Sequence, residues 1–136
     1  MPWYAYLLAP AAFLFHGITA VRNFLFDRGL LKSQKSPIPT LVIGNLSVGG
    51  TGKTPWVEFL VRHLRDEVKL ATLSRGYGRK TTGFRQVLPN SAAAEVGDEP
   101  LQLFTQFKGG IPVFVGEDRV GATQKIQQIF PDLQLL

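Results

Sequence analysis

Three consecutive residues, Gly52-Lys53-Thr54, carry the most specific chemistry in this chain of 136 residues. They close a turn, Ser47-Val48-Gly49-Gly50-Thr51, that follows the apolar run Leu41-Val42-Ile43 and precedes a helical pattern opening near Pro55. Strand, glycine loop and helix in that order are the layout of a phosphate-binding loop. Glycine lets successive backbone N–H groups turn inward onto phosphate oxygens. Lys53 would reach the outer phosphates as a point charge, Thr54 would place a hydroxyl on Mg²⁺, and the helix N-terminus would face the anion. Residues 47–54 are therefore the expected nucleotide site, with ATP and Mg²⁺ as the expected ligands. Ser47 stands where the generic loop has its first glycine. A glycine turn that binds nothing is the bland alternative, and the Gly-Lys-Thr ending between a buried-strand pattern and an amphipathic helix argues against it.

Two further stretches have side chains that suit phosphate chemistry. Ser74-Arg75-Gly76-Tyr77-Gly78-Arg79-Lys80 follows the apolar stretch 69–73 and joins tight-turn glycines to basic residues and a tyrosine. A loop at the C-terminal end of a strand lies where open α/β sheets bind ligands; a solvated basic turn is the plain alternative. Gly97-Asp98-Glu99-Pro100 opens a helix, with Asp98 as the expected N-cap and Glu99 in the first turn, a placement that serves as ordinary capping too. His16 and His63, the two histidines, receive no role.

Alternating elements must position these residues. Trp56, Val57, Phe59, Leu60, Val61 and Leu64 form the apolar side of a helix ending near Asp66, and residues 69–73, 84–88 and 112–115 read as short strands. A helix opens at Glu117-Asp118-Arg119 and ends before Pro131, and residues 133–136 begin another strand. The pattern predicts an α/β fold with a P-loop NTPase-like, three-layer parallel sheet. Such folds place a metal-organising Asp at the end of a later strand. None is present, so the chain is expected to be the N-terminal part of a longer protein.

The beginning of the chain differs. Seven of the fifteen aromatic residues fall within the first 26 positions, and residues 2–21 carry no charged side chain. This reads as an apolar helix interrupted at Pro10, followed by Arg22, Arg28, Lys32 and Lys35 against Asp27. Residues 1–32 are expected to form a membrane-associated segment lying in the interface rather than spanning it, 33–39 a linker, and 40–136 a kinase domain incomplete at its C-terminal end. A hydrophobic helix packed on the following domain is the competing reading. The net charge of +5 suits anionic partners, nucleotide or phospholipid. No nucleic-acid-binding module appears, so no nucleic acid is expected, and the sequence gives no indication of oligomeric state. The absence of cysteine excludes a disulfide framework or thiolate metal site.

Taken together, residues 43–55, 74–78 and 97–100 and the stretch Asp118-Arg119-Val120 resemble the tetraacyldisaccharide 4'-kinase family, the lipid A 4'-kinases of Gram-negative bacteria. Ser47 and the aromatic N-terminal helix match that family too. The resemblance spans essentially the whole chain and less than half the family's usual length. It implies transfer of the ATP γ-phosphoryl group to the 4'-hydroxyl of a tetraacylated glucosamine disaccharide 1-phosphate. The implied place is the cytoplasmic face of the bacterial inner membrane, as a peripheral or monotopic protein. By motif, Lys53 and Asp98 are implied to be catalytic, Asp98 as general base; Thr54 and Glu99 to serve the metal; and Arg75, Tyr77 and Arg119 to be substrate or active-site-loop residues. An Asp-Asp-Gly-Leu-Gln-His stretch is expected after Leu136 and a histidine later still, so this chain alone is expected to be inactive. The rival reading is a membrane-bound nucleotide switch or partitioning-type ATPase. Residues 74–78 and 97–100 argue against it.

Overall fold

The computed structural model describes residues 4–44 and 52–136. The chain divides into two compact units, residues 1–35 and 36–136.

The first unit is a single helix, α1 (Tyr4–Asp27), closed by a turn. The helix runs through Pro10 where an interruption was expected. A proline removes one N–H donor and keeps a helical φ, so the loss is confined to one turn. Gly29, at φ 70°, reverses the chain in the left-handed conformation usual after a helix end. The N–H groups of Gly29, Leu30 and Leu31 return to the carbonyls of Phe26 and Leu25, which satisfies the end of the helix. Arg22 lies over the Phe26 ring and Arg28 over the Phe24 ring. Phe13, Phe15, Ile18 and Val21 are exposed. No helix among the described residues is long and apolar enough to cross a membrane.

The second unit is α/β. Its centre is the strand β3 (Val113–Val115), whose three residues are all buried. Because side chains alternate along a strand, Val113 and Val115 enter one apolar cluster and Phe114 the other. The first cluster takes Val61 from α2 (Lys53–Leu64), Val96 from α3 (Ala93–Val96), and Leu103 from α4 (Asp98–Gln106), with Phe107 just beyond it. The second takes Ile126 from α5 (Arg119–Ile129), together with Ile38, Ala71 and Leu133. Burial on both faces explains why the strand reads as an unbroken apolar run.

The sheet order is β1 (Thr72–Ser74), β3, β2 (Arg85–Gln86). β1 and β3 are parallel, with Leu73 opposite Phe114. β2 is antiparallel to β3, so the sheet is mixed where a wholly parallel one was expected. The connection from β2 back to β3 holds α3 and α4, and nothing in the two-residue strand itself encodes its direction.

Among the described residues the expected first strand is reduced to a short paired segment. Leu41 N–H donates to the Leu136 carbonyl and Leu136 N–H to the Pro39 carbonyl, the slanted pattern of a parallel pair. Leu135 makes a parallel bridge to Leu70. Residues 135–136 therefore lie between the segment leading to the glycine loop and the segment leading to β1. In α2, Val57 and Val61 face the core, whereas Trp56 and Phe59, assigned to its apolar side, are exposed.

Candidate active site

Gly52 adopts φ 77° and is the N-cap of α2, a conformation that L side chains rarely adopt. Lys53 and Thr54 then occupy the first helical turn, with their side chains at the end of the helix where backbone N–H groups point outward. Of the expected phosphate-loop residues, Ser47, Val48, Gly49, Gly50 and Thr51 lie outside the described residues.

The first turns of α2 and α4 converge. Thr54 Oγ1 donates to Glu99 Oε1 at 2.7 Å, across 45 positions of sequence. One turn further along, Glu58 accepts from Gln102 Nε2 at 3.2 Å and from Gln106 Nε2 at 2.9 Å. Gln102 and Gln106 are four residues apart and share a helix face, so Glu58 holds α4 alongside α2. That lateral contact fixes the register that brings Thr54 to Glu99.

A cavity of about 320 Å³ opens beside this contact. Its polar lining includes Lys53, Glu99, Ser74, Arg75, Tyr77 and Arg119, and its apolar wall includes Leu41, Ile43, Val57 and Leu60. Residues from four separate motifs thus face one space. Arg75 and Tyr77 come from the loop after β1, Arg119 from the first residue of α5 beyond β3. β1 and β3 are adjacent and parallel, so both loops leave the sheet at the same end. This is the carboxyl edge, where α/β sheets bind ligands. The Tyr77 side chain is 93% exposed.

Asp98 is the first residue of α4, exposed, and is not among the cavity-lining residues. The N-cap that Asp98 was expected to supply is Gly97 instead, at φ 95°. The reason is a close backbone approach. A Cβ on Gly97 would stand 3.1 Å from the Tyr77 carbonyl, and one on Gly76 would stand 2.9 Å from the Val96 carbonyl. The loop after β1 and the start of α4 are pressed together at two glycines. That contact sets Tyr77 and Glu99 against the same cavity.

The sequence reading missed Thr72 and gave Ser74 no role beyond its place at the head of the 74–80 stretch. Both line the cavity, and their hydroxyl oxygens are buried without a hydrogen-bond partner among the described residues. The signal was their spacing, two apart in a strand, which puts both on one face.

Thr54 and Glu99 are hard oxygen donors held together, while no cluster of three or more His, Asp or Glu that could hold a metal occurs among the described residues. A pair of this kind fits Mg²⁺, which keeps several waters and binds through one or two protein groups plus phosphates. It does not fit a metal that needs a full protein cage.

Residues 4–136 match the model of the family described as tetraacyldisaccharide-1-P 4'-kinase. The chain is 48% identical over 130 residues to the tetraacyldisaccharide 4'-kinase of Cytophaga hutchinsonii, covering 96% of this chain and 37% of that protein. It is 50% identical over 119 residues to the enzyme of the same name from Flavobacterium psychrophilum, covering 88% of this chain and 34% of the relative. Among solved structures it resembles the "apo" form of LpxK from Aquifex aeolicus in complex with ATP. The TM-score is 0.80 at 34% identity, over 96% of this chain and 42% of that one. The chain therefore spans between a third and two fifths of the length of the curated relatives named here.

Proposed function

Because the chain belongs to the tetraacyldisaccharide-1-P 4'-kinase family, we propose that it forms the nucleotide-binding part of an enzyme that phosphorylates the 4'-hydroxyl of a tetraacylated glucosamine disaccharide 1-phosphate with ATP. The observation that carries this reading is the Thr54–Glu99 hydrogen bond beside a cavity also lined by Lys53, Arg75, Tyr77 and Arg119. Phosphoryl transfer asks a protein chiefly for positioning and for neutralisation of charge on the transferred group. Three cations lining that cavity and a hydroxyl–carboxylate pair beside it supply both.

On this reading the second unit is the start of a three-layer, P-loop NTPase-like domain. Lys53 binds the outer phosphates of ATP, and Thr54 and Glu99 hold Mg²⁺, which neutralises phosphate charge when bound. Arg75 and Arg119 stabilise the negative charge of the transferred group, and Tyr77, at the mouth of the cavity, contacts the sugar. Asp98, exposed beside Glu99, accepts the proton of the sugar hydroxyl once the acceptor is seated.

The substrate chemistry also gives the first unit a role. Four acyl chains hold the acceptor in the bilayer, at about 0.8 kcal/mol per buried methylene, so the enzyme must work at the surface. Phe13, Leu14, Phe15, Ile18 and Val21 are apolar and exposed on α1, and Arg22 and Arg28 lie near its end. We place this unit in the interface of the inner membrane on the cytoplasmic side, with the arginines among anionic headgroups.

The test is transfer of labelled γ-phosphate from ATP to a tetraacyl disaccharide 1-phosphate in detergent micelles by the full-length protein. Lys53→Ala is expected to lower kcat/KM at least 100-fold, equivalent to about 2.7 kcal/mol of transition-state stabilisation. Measurable ATP binding with no labelled lipid from the unsubstituted protein would overturn the assignment.

A further inference from the structure

Arg79 follows Tyr77 by two positions and Glu117 precedes Arg119 by two, yet neither lines the cavity. Arg79 is unusual: its side chain is only 2% exposed. Its Nη2 donates to Glu117 Oε1 and to the Gly83 carbonyl, the latter at 2.7 Å. Glu117 Oε2 accepts in turn from Gly83 N–H at 2.9 Å. The three residues close a ring of hydrogen bonds that joins the chain beyond β1 to the chain beyond β3.

This ring is poor as a device for stability alone. Among the described residues, Nε and Nη1 of Arg79 are buried without a partner. A buried polar group left unsatisfied costs free energy, and buried ion pairs are often no more stabilising than apolar residues of the same size. What the ring does supply is a fixed distance. The turn at residues 76–79 is built around the guanidinium: a Cβ on Gly76 would stand 2.7 Å from Arg79 Cδ. On the other side, Asp118 caps α5 by accepting from Gly121 N–H at 3.0 Å, so Glu117 is anchored to the helix that starts with Arg119.

We propose that Arg79 and Glu117 are positioning residues whose ion pair sets the separation of the two loops that carry Arg75 and Tyr77 on one side of the cavity and Arg119 on the other. The ATP end of the site is held separately, by the α2–α4 contacts at Thr54 and Glu58. Loss of the pair therefore spoils the transfer step and spares nucleotide binding. The inference rests on the phosphotransfer reading above.

Arg79→Lys and Glu117→Gln in the full-length protein test it, with phosphate transfer to the lipid and hydrogen exchange of residues 75–78 and 116–119 as the readouts. Each variant is expected to lose at least tenfold in kcat with KM for ATP within twofold of the parent. The double variant should be no slower than the slower single one, because the two residues act as a unit. Exchange should rise in both loops in either variant while α2 keeps its protection. Parent-like kcat in Glu117→Gln, a rise in ATP KM that matches the fall in kcat, or faster exchange confined to the substituted loop would each overturn the proposal. If Arg79→Lys does not fold, Glu117→Gln decides, since that side chain is the more exposed of the pair. If the parent transfers no phosphate to the lipid, the functional assignment fails, and the exchange comparison alone decides whether the pair couples the loops.

Discussion

Phe13 and Phe114 are the same residue type in opposite circumstances: one 79% exposed on α1, the other 0% exposed in β3. In the second unit, each large apolar side chain of the central strand finds partners from a helix or from a neighbouring strand. In the first unit, a lone helix has apolar residues at positions 13, 14, 15, 18 and 21, spread over more than one stripe and exposed. Burial against a protein core needs a stripe; immersion in an apolar medium does not. Similar apolar side chains thus build a core in one unit and stand exposed on a helix in the other.

The largest effect belongs to the core: Phe114→Ala should cost about 3–5 kcal/mol in denaturant unfolding, because the cavity it leaves is walled by Phe84, Phe130 and Ile126. Phe15→Ser should leave that stability within about 0.5 kcal/mol. It should instead weaken partition onto anionic vesicles by about 1.5–3 kcal/mol, the worth of one buried phenylalanine. Equal losses of folding stability in the two variants would erase the distinction between the units. Gly97→Ala addresses the second unit alone. The positive φ and the approach to the Tyr77 carbonyl predict a loss of about 1–3 kcal/mol, read by thermal unfolding.

The smallest effect is electrostatic. The Glu117 carboxyl is held below its ordinary value of 4.5 by its own backbone N–H first, then by the Arg79 guanidinium and the Gly83 N–H, against the opposing influence of burial. A carboxyl depressed on folding contributes stability above its unfolded pKa and loses it as pH falls through the folded value. The difference in melting temperature between the parent and Glu117→Gln should therefore be flat from neutral pH to about 4.5 and shrink below it. A difference that widens on acidification would contradict the sign of the shift.

Much of the second unit could be read from its residues. Lys53 and Thr54 begin α2 as the Gly-Lys-Thr pattern requires, Asp118 caps α5, and the apolar run at 113–115 is the buried strand. These signals are local: a glycine, a cap, a run of apolar side chains. What escaped depends on pairs distant in sequence. The direction of β2 is set by how residues 87–112 return to β3. The cap at Gly97 is set by a backbone contact with Gly76, and the Arg79–Glu117 pair spans 38 positions. The short helix α3, with Glu95 accepting from the Ala92 N–H, lies in the connection from β2 to α4. Its backbone also receives Lys80 N–H at the Ala94 carbonyl, which ties residues 80–94 to the loop of Tyr77.

The pairing of Leu41 with Leu136 has a consequence for the order of assembly. Leu136 supplies the carbonyl that receives the Leu41 N–H, and it is added to the nascent chain about 95 residues later. At translation rates of about 5–20 residues per second, that interval is on the order of 5–20 s. During it, α1 can fold from local bonds alone, whereas the segment leading into the phosphate loop still lacks this partner. The helix of the first unit can thus be complete before the segment leading to the glycine loop has its neighbouring strand, so the two units can fold one after the other.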